Sequence, residues 1–188
     1  MRRILIVLVS VILLLYPIAV YYGLQYFEPR LLGLLLLGIL LVRFSLLIKS
    51  VKINQLKPLA GLTIASGFIG LLIVFFNQPI WVKLNPVVIN LTLLFFFSYS
   101  LYKPPSMIER FARLQNPDLP EAAIQYTKTV TQVWCGFFIF NIIISSYTAL
   151  FSSIETWTIY NGFIAYILMG LLFAVEYAVR IKKMKANS

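Results

Sequence analysis

A chain of 188 residues is long enough for one ordinary domain, but 61% of this one is hydrophobic and only 12% is charged, which excludes a surface that water would solvate. The net charge is +10, histidine is absent and Cys135 is the single cysteine. These counts rule out an intrachain disulfide and remove the commonest general base and metal ligand, so neither a cofactor nor a zinc or haem centre is expected.

Apolar runs cover residues 4–24, 31–48, 59–76, 86–102, 130–151 and 157–179. Each is close to the roughly 20 residues that a helix needs to cross a bilayer. The expected fold is therefore all-α: a polytopic membrane protein of six transmembrane helices in one compact bundle, filling residues 1–188 as a single integral domain.

Arg2 and Arg3 precede the first run as in a signal peptide, yet the apolar core is long and no small-x-small cleavage site follows, so a retained helix is expected. The second run contains Arg43, five residues before its end. Lys49, Lys52 and Lys57 separate it from the third run, in which Gly61 and Ala65 stand four apart as a flat packing stripe. Trp81 and Lys83 lead to Pro86, which suits a first helical turn.

The longest connection, 103–129, begins with Lys103, Pro104 and Pro105. Ser106 and Glu109 have the spacing of a capping box. Ile108, Phe111, Ala112 and Gln115 then recur at helical spacing with Arg110 and Arg113 off that face, which predicts a short interfacial helix. Ile108, Arg110, Phe111 and Arg113 are the candidate docking residues for a partner, and an ordinary helical loop is the competing reading. Asp118 and Glu121 mark the start of the next helix ahead of its apolar run.

Lysine and arginine fix an expected orientation. With the N terminus inside, the inner segments hold Arg2, Arg3, Lys49, Lys52, Lys57, Lys103, Arg110, Arg113, Lys128, Arg180, Lys182, Lys183 and Lys185, whereas the outer loops hold only Arg30 and Lys83. This is a positive-inside pattern that alternates across every loop, and it predicts cytoplasmic termini in a bacterial inner membrane. The basic balance is thus topological. Its expected counter-charge is anionic headgroups of membrane lipids at the cytoplasmic face, and nucleic acid is not an expected partner.

Ionisable residues at hydrocarbon depth mark functional candidates. Arg43 and Glu176 lie at similar depth below the inner interface, which makes them a candidate intramembrane pair, with snorkelling to the headgroups as the alternative. The amides Asn90, Gln132, Asn141 and Asn161 are candidates for hydrogen bonds between helices. Gly170, Ala174 and Ala178 form a second small-residue stripe beside Glu176, which makes the last helix the expected centre of the bundle. The six acids, Glu28, Glu109, Asp118, Glu121, Glu155 and Glu176, offer no close pair and no magnesium cluster, so an enzyme is not expected.

The segment from Tyr102 to Arg113, the run from Val133 to Asn141, and Tyr160 through Tyr166 to Glu176 and Arg180 together resemble a family of small bacterial inner-membrane proteins of uncharacterised activity. Its members are encoded with acyl carrier proteins, ketosynthases and acyltransferases of the aryl-polyene type. The resemblance covers the C-terminal half, supplies no catalytic residue, and implies an accessory place in making, anchoring or moving a lipid-like envelope product. Pro86 with Asn90, and Trp134 with Phe137 and Phe138, are also similar to the intracellular septation protein A family; that family's further asparagine falls here on Ser145, with Asn141 in its stead. The function expected is a non-enzymatic membrane accessory or scaffold in cell-envelope lipid or aryl-polyene biosynthesis, with proteins of that biosynthesis as partners. The alternative is a small transporter or flippase for a lipid-like or anionic substrate.

Overall fold

The structure, a computed structural model, describes residues 15–48 and 53–186. The part of the first apolar run at 4–14, with Arg2 and Arg3, lies outside them, as do Lys49 and Lys52. The described residues form helices and no strand: α1 (Tyr16–Tyr26), α2 (Pro29–Ile48), α3 (Ile53–Phe76), α4 (Pro79–Lys83), α5 (Asn85–Tyr102), α6 (Met107–Arg113), α7 (Glu121–Phe151), α8 (Ile154–Ile159) and α9 (Ala165–Ala186). A π-helical turn, Tyr160–Ile164, joins α8 to α9.

Proline opens α1, α4 and α5 within the first two positions, where its missing N–H would be unpaired in any case. Asn77 ends α3 with φ 51°, a left-handed conformation that asparagine tolerates better than most residues. Its Oδ1 accepts from the Arg30 N–H at 2.8 Å, and its Nδ2 donates to Glu28 at 3.3 Å. Arg30 Nε donates to the Val74 carbonyl at 3.1 Å. The start of α2 is thereby locked to the end of α3, and Glu28 and Arg30 serve helix ends.

Among the described residues three helical stretches are long and apolar enough to cross a membrane: Pro79–Tyr102, in which α4 and α5 run on through one turn, Glu121–Phe151 and Ile154–Lys182. Ala60–Phe76 is a shorter apolar helix. In packing order α2 lies on α3, α3 on α5, α5 on α7, and α6 on α7, while α1 packs on α8 and the π turn.

Burial is inverted relative to a water-soluble protein. Ile64, Phe68, Phe75, Phe95, Ile143 and Leu171 all lie on the surface, whereas Asn85, Ser100, Thr131, Asn141, Ser145 and Asn161 are buried. An apolar exterior, with most of the buried polar side chains hydrogen-bonded, suits a lipid solvent. Two apolar clusters complete the interior. One gathers Val20, Leu36, Leu40, Ile69, Ile73, Val82, Ala149 and Trp157; the other joins Phe97, Met107, Val130, Trp134 and Phe138.

The last helix is not the centre expected of it. None of the best membrane-spanning window in Ile154–Lys182 is buried, Ala174 and Ala178 are exposed, and a Cβ built on Gly170 would meet nothing within 4 Å. That stripe packs on nothing among the described residues. The Gly61 stripe does pack, because a Cβ there would overlap the Phe96 ring.

Candidate functional site

The connection 103–129 folds around α6, whose first turn has every backbone donor capped. Met107 N donates to Ser100 Oγ at 2.8 Å, Ile108 N to Thr131 Oγ1 at 3.3 Å, and Glu109 N to Ser106 Oγ at 3.4 Å. The Glu109 carboxylate reaches back to the Ser106 N–H at 3.3 Å, which completes the capping box. Orphan N–H groups are the usual weakness of a helix this short, and here α5 and α7 supply partners for two of them.

The inward side is Met107 and Glu109, 3% and 6% exposed. Arg113 bridges Glu109 at 2.8 Å and donates to the Pro117 carbonyl at 2.8 Å. Arg110 donates to the Pro105 and Lys103 carbonyls at 2.8 and 3.3 Å. Both guanidinium groups therefore fasten the connection to itself, a role that sequence spacing does not reveal. Phe111 and Leu114 are exposed, and Ile108 is half-buried. The outward face is thus an apolar pair beside Arg110 and Lys103, whose side chain lies over the Tyr99 ring.

The second polar site surrounds the π turn. Asn161 Oδ1 accepts from Ser145 Oγ at 2.7 Å, while its Nδ2 donates to Thr148 Oγ1 at 3.3 Å and to the Trp157 carbonyl at 2.9 Å. Asn141 Oδ1 accepts from the Tyr160 hydroxyl at 3.1 Å, and its Nδ2 returns to the Phe137 carbonyl at 3.0 Å. At the junction with the π turn the Trp157 carbonyl accepts twice, from the Asn161 amide and from the Tyr160 backbone N–H. Asn141 and Asn161 thus bond between α7 and the π turn. Asn90 donates at 2.9 Å to the Pro86 carbonyl of its own helix, and Gln132 is exposed. Ser145, Thr148 and Tyr160 are partners that sequence reading missed; the signal was hydroxyls four and seven residues after Asn141.

Arg43 and Glu176 are not joined by an ion pair among the described residues. The Glu176 carboxylate takes the Tyr126 hydroxyl at 3.3 Å and faces Arg180 at 3.8 Å. Tyr126 also reaches the Glu176 carbonyl at 3.1 Å, and Phe173 rests on Trp134 with ring centroids 4.7 Å apart. These contacts fasten α9 to α7. Arg43 lies half-buried beside a pocket between α2, α3 and α5.

Among the described residues no group of three histidine, cysteine, aspartate or glutamate side chains is placed to hold a metal ion. Cys135 is a free, half-buried thiol near Ser98. The class defined here is an all-helical protein with membrane-length apolar helices. Comparisons with family models, with curated proteins and with solved structures find no match.

Proposed function

We propose that this chain is a non-enzymatic accessory or scaffold protein of the bacterial inner membrane, crossing it six times with both termini in the cytoplasm. On this reading it serves cell-envelope lipid or aryl-polyene biosynthesis by docking a cytoplasmic partner of that biosynthesis on α6. The observation that carries the docking is the combination in α6 of a fully capped first turn with Phe111 and Leu114 left exposed. A rigid apolar pair rimmed by basic residues costs little ordering entropy when a partner covers it. The positive-inside distribution and the sequence resemblance support the sidedness and the pathway.

The test is a photo-crosslinker at Leu114 in the full-length chain in its own membrane, followed by mild solubilisation and mass spectrometry. Recovery of an acyl carrier protein or acyltransferase that disappears with Phe111→Ser supports the reading. Recovery of lipid alone, unchanged by Phe111→Ser, refutes the docking. Reporter fusions in 103–129 and after Lys182 test the sidedness, since both must report cytoplasm.

The pocket beside Arg43 favours a second reading, a small transporter or flippase for a lipid-like or anionic substrate. Flux across proteoliposomes that is lost with Arg43→Ala would support it against the scaffold.

A further inference from the structure

The pocket bordered by Arg43 runs along α2, α3 and α5 and encloses about 80 Å³. That is room for several waters or for one tetrahedral oxyanion. Leu36, Leu40 and Ile89 form apolar walls, and Arg43, Thr63, Ser66 and Asn85 are the polar groups. Positions 36, 40 and 43 share one face of α2.

Two observations make this more than a packing gap. Asn85 is 2% exposed, and its Oδ1 is buried with no hydrogen-bond partner. Among buried amides this is the exception; turning the amide over presents an unpaired NH2 at the same place. The other observation is charge. Arg43 has no ion-pair partner among the described residues, and all six acids of the chain fall within those residues. Glu109 pairs with Arg113, Glu176 faces Arg180, and Glu28 holds Asn77, while Asp118, Glu121 and Glu155 are exposed. A half-buried guanidinium among leucines needs a counter-charge, and the acidic side chains of this chain are placed elsewhere.

We propose that this pocket binds a phosphate-type oxyanion, seated on the Arg43 guanidinium with hydrogen bonds from Ser66 and from Asn85 directly or through water. Guanidinium matches an oxyanion with paired donors. The anion is either the phosphate of a lipid headgroup, with the rest of the lipid outside the pocket, or free phosphate. The site stands independently of docking at α6.

The experiment uses the full chain in maltoside micelles, which carry no phosphate, and measures bound ligand by native mass spectrometry with thermal shift alongside. The probes are phosphatidylglycerol, diacylglycerol and inorganic phosphate. The wild-type chain is expected to retain phosphatidylglycerol and to lose diacylglycerol. Retention should fall at least about tenfold in Arg43→Gln and in Asn85→Leu, persist in Arg43→Lys, and be unchanged in Lys103→Gln. Saturable binding of phosphatidylglycerol alone assigns the site to a lipid, and binding of inorganic phosphate as well assigns it to the oxyanion itself. Absence of saturable binding of either phosphate probe by the wild-type chain overturns the proposal, whether or not the variants fold. Undiminished binding by helical Arg43→Gln overturns it too, as does a dimer that Arg43→Gln dissociates without any effect of the probes.

Discussion

Asn161→Leu removes the amide that joins the π turn to α7 while nearly preserving side-chain size. Two bonds to α7 side chains disappear, from Ser145 and to Thr148, as does the bond to the Trp157 carbonyl. Interhelical hydrogen bonds in membrane proteins average about 0.6 kcal/mol each, so the pair contributes about 1 kcal/mol. The Trp157 carbonyl keeps the backbone N–H of Tyr160, so losing the Asn161 bond to it adds only about 0.5–1.5 kcal/mol, for an expected loss of about 1.5–2.5 kcal/mol. Reversible unfolding in mixed micelles of increasing denaturing-detergent fraction, followed by circular dichroism, measures it. Ser145→Ala separates the terms, because added to Asn161→Leu it should cost almost nothing more. A loss below about 0.5 kcal/mol for Asn161→Leu, or strict additivity with Ser145→Ala, would refute the view that this amide clamps the two elements.

Gly61→Ala should destabilise by about 1–3 kcal/mol through collision with the Phe96 ring, and Phe96→Ala in the same chain should recover part of that, read in the same unfolding assay. Gly170→Ala, with open space beside it, should be neutral within about 0.5 kcal/mol. Glu109→Gln breaks the pair with Arg113 and weakens the capping box; limited proteolysis should then cut between residues 103 and 120 several-fold faster while the rest of the chain stays resistant. In double-mutant cycles Tyr126→Phe and Glu176→Gln should couple, whereas Arg43→Ala and Glu176→Ala should add.

Much of α6 was legible in the sequence because a capping box is local chemistry: Ser106 and Glu109 satisfy each other's backbone three residues apart, wherever the helix sits. The later partners of its first turn were not legible, since Ser100 and Thr131 reach it only after α5 and α7 pack. Depth along a helix can be counted from sequence, but the angle around the bundle cannot, and this separates Arg43 from Glu176. Equal depth suggested a pair; the fold gives Glu176 a tyrosine on α7 and leaves Arg43 beside α3 and α5. The same limit explains Asn90 and Asn141. Both return an amide N–H to the carbonyl four residues back, and only Asn141 has a hydroxyl from another element waiting at its oxygen. The helices α4 and α8 are too short for periodicity to register, and the π turn leaves no mark in hydropathy.

The turn after α4 brings three distant parts of the chain together. Tyr16 donates to the Val82 carbonyl at 2.9 Å, Trp157 Nε1 to the Lys83 carbonyl at 3.0 Å, and Lys83 Nζ reaches the Ser152 carbonyl at 3.5 Å. Synthesis delivers Tyr16 first and Trp157 last, so this knot cannot be tied until residue 157 has left the ribosome. Until then α1 has only its earlier partners, Val82 among them, and no Trp157 to rest against. A chain stopped short of residue 157 would keep the Tyr16 bond to Val82 but lack the indole that closes the knot from the other side.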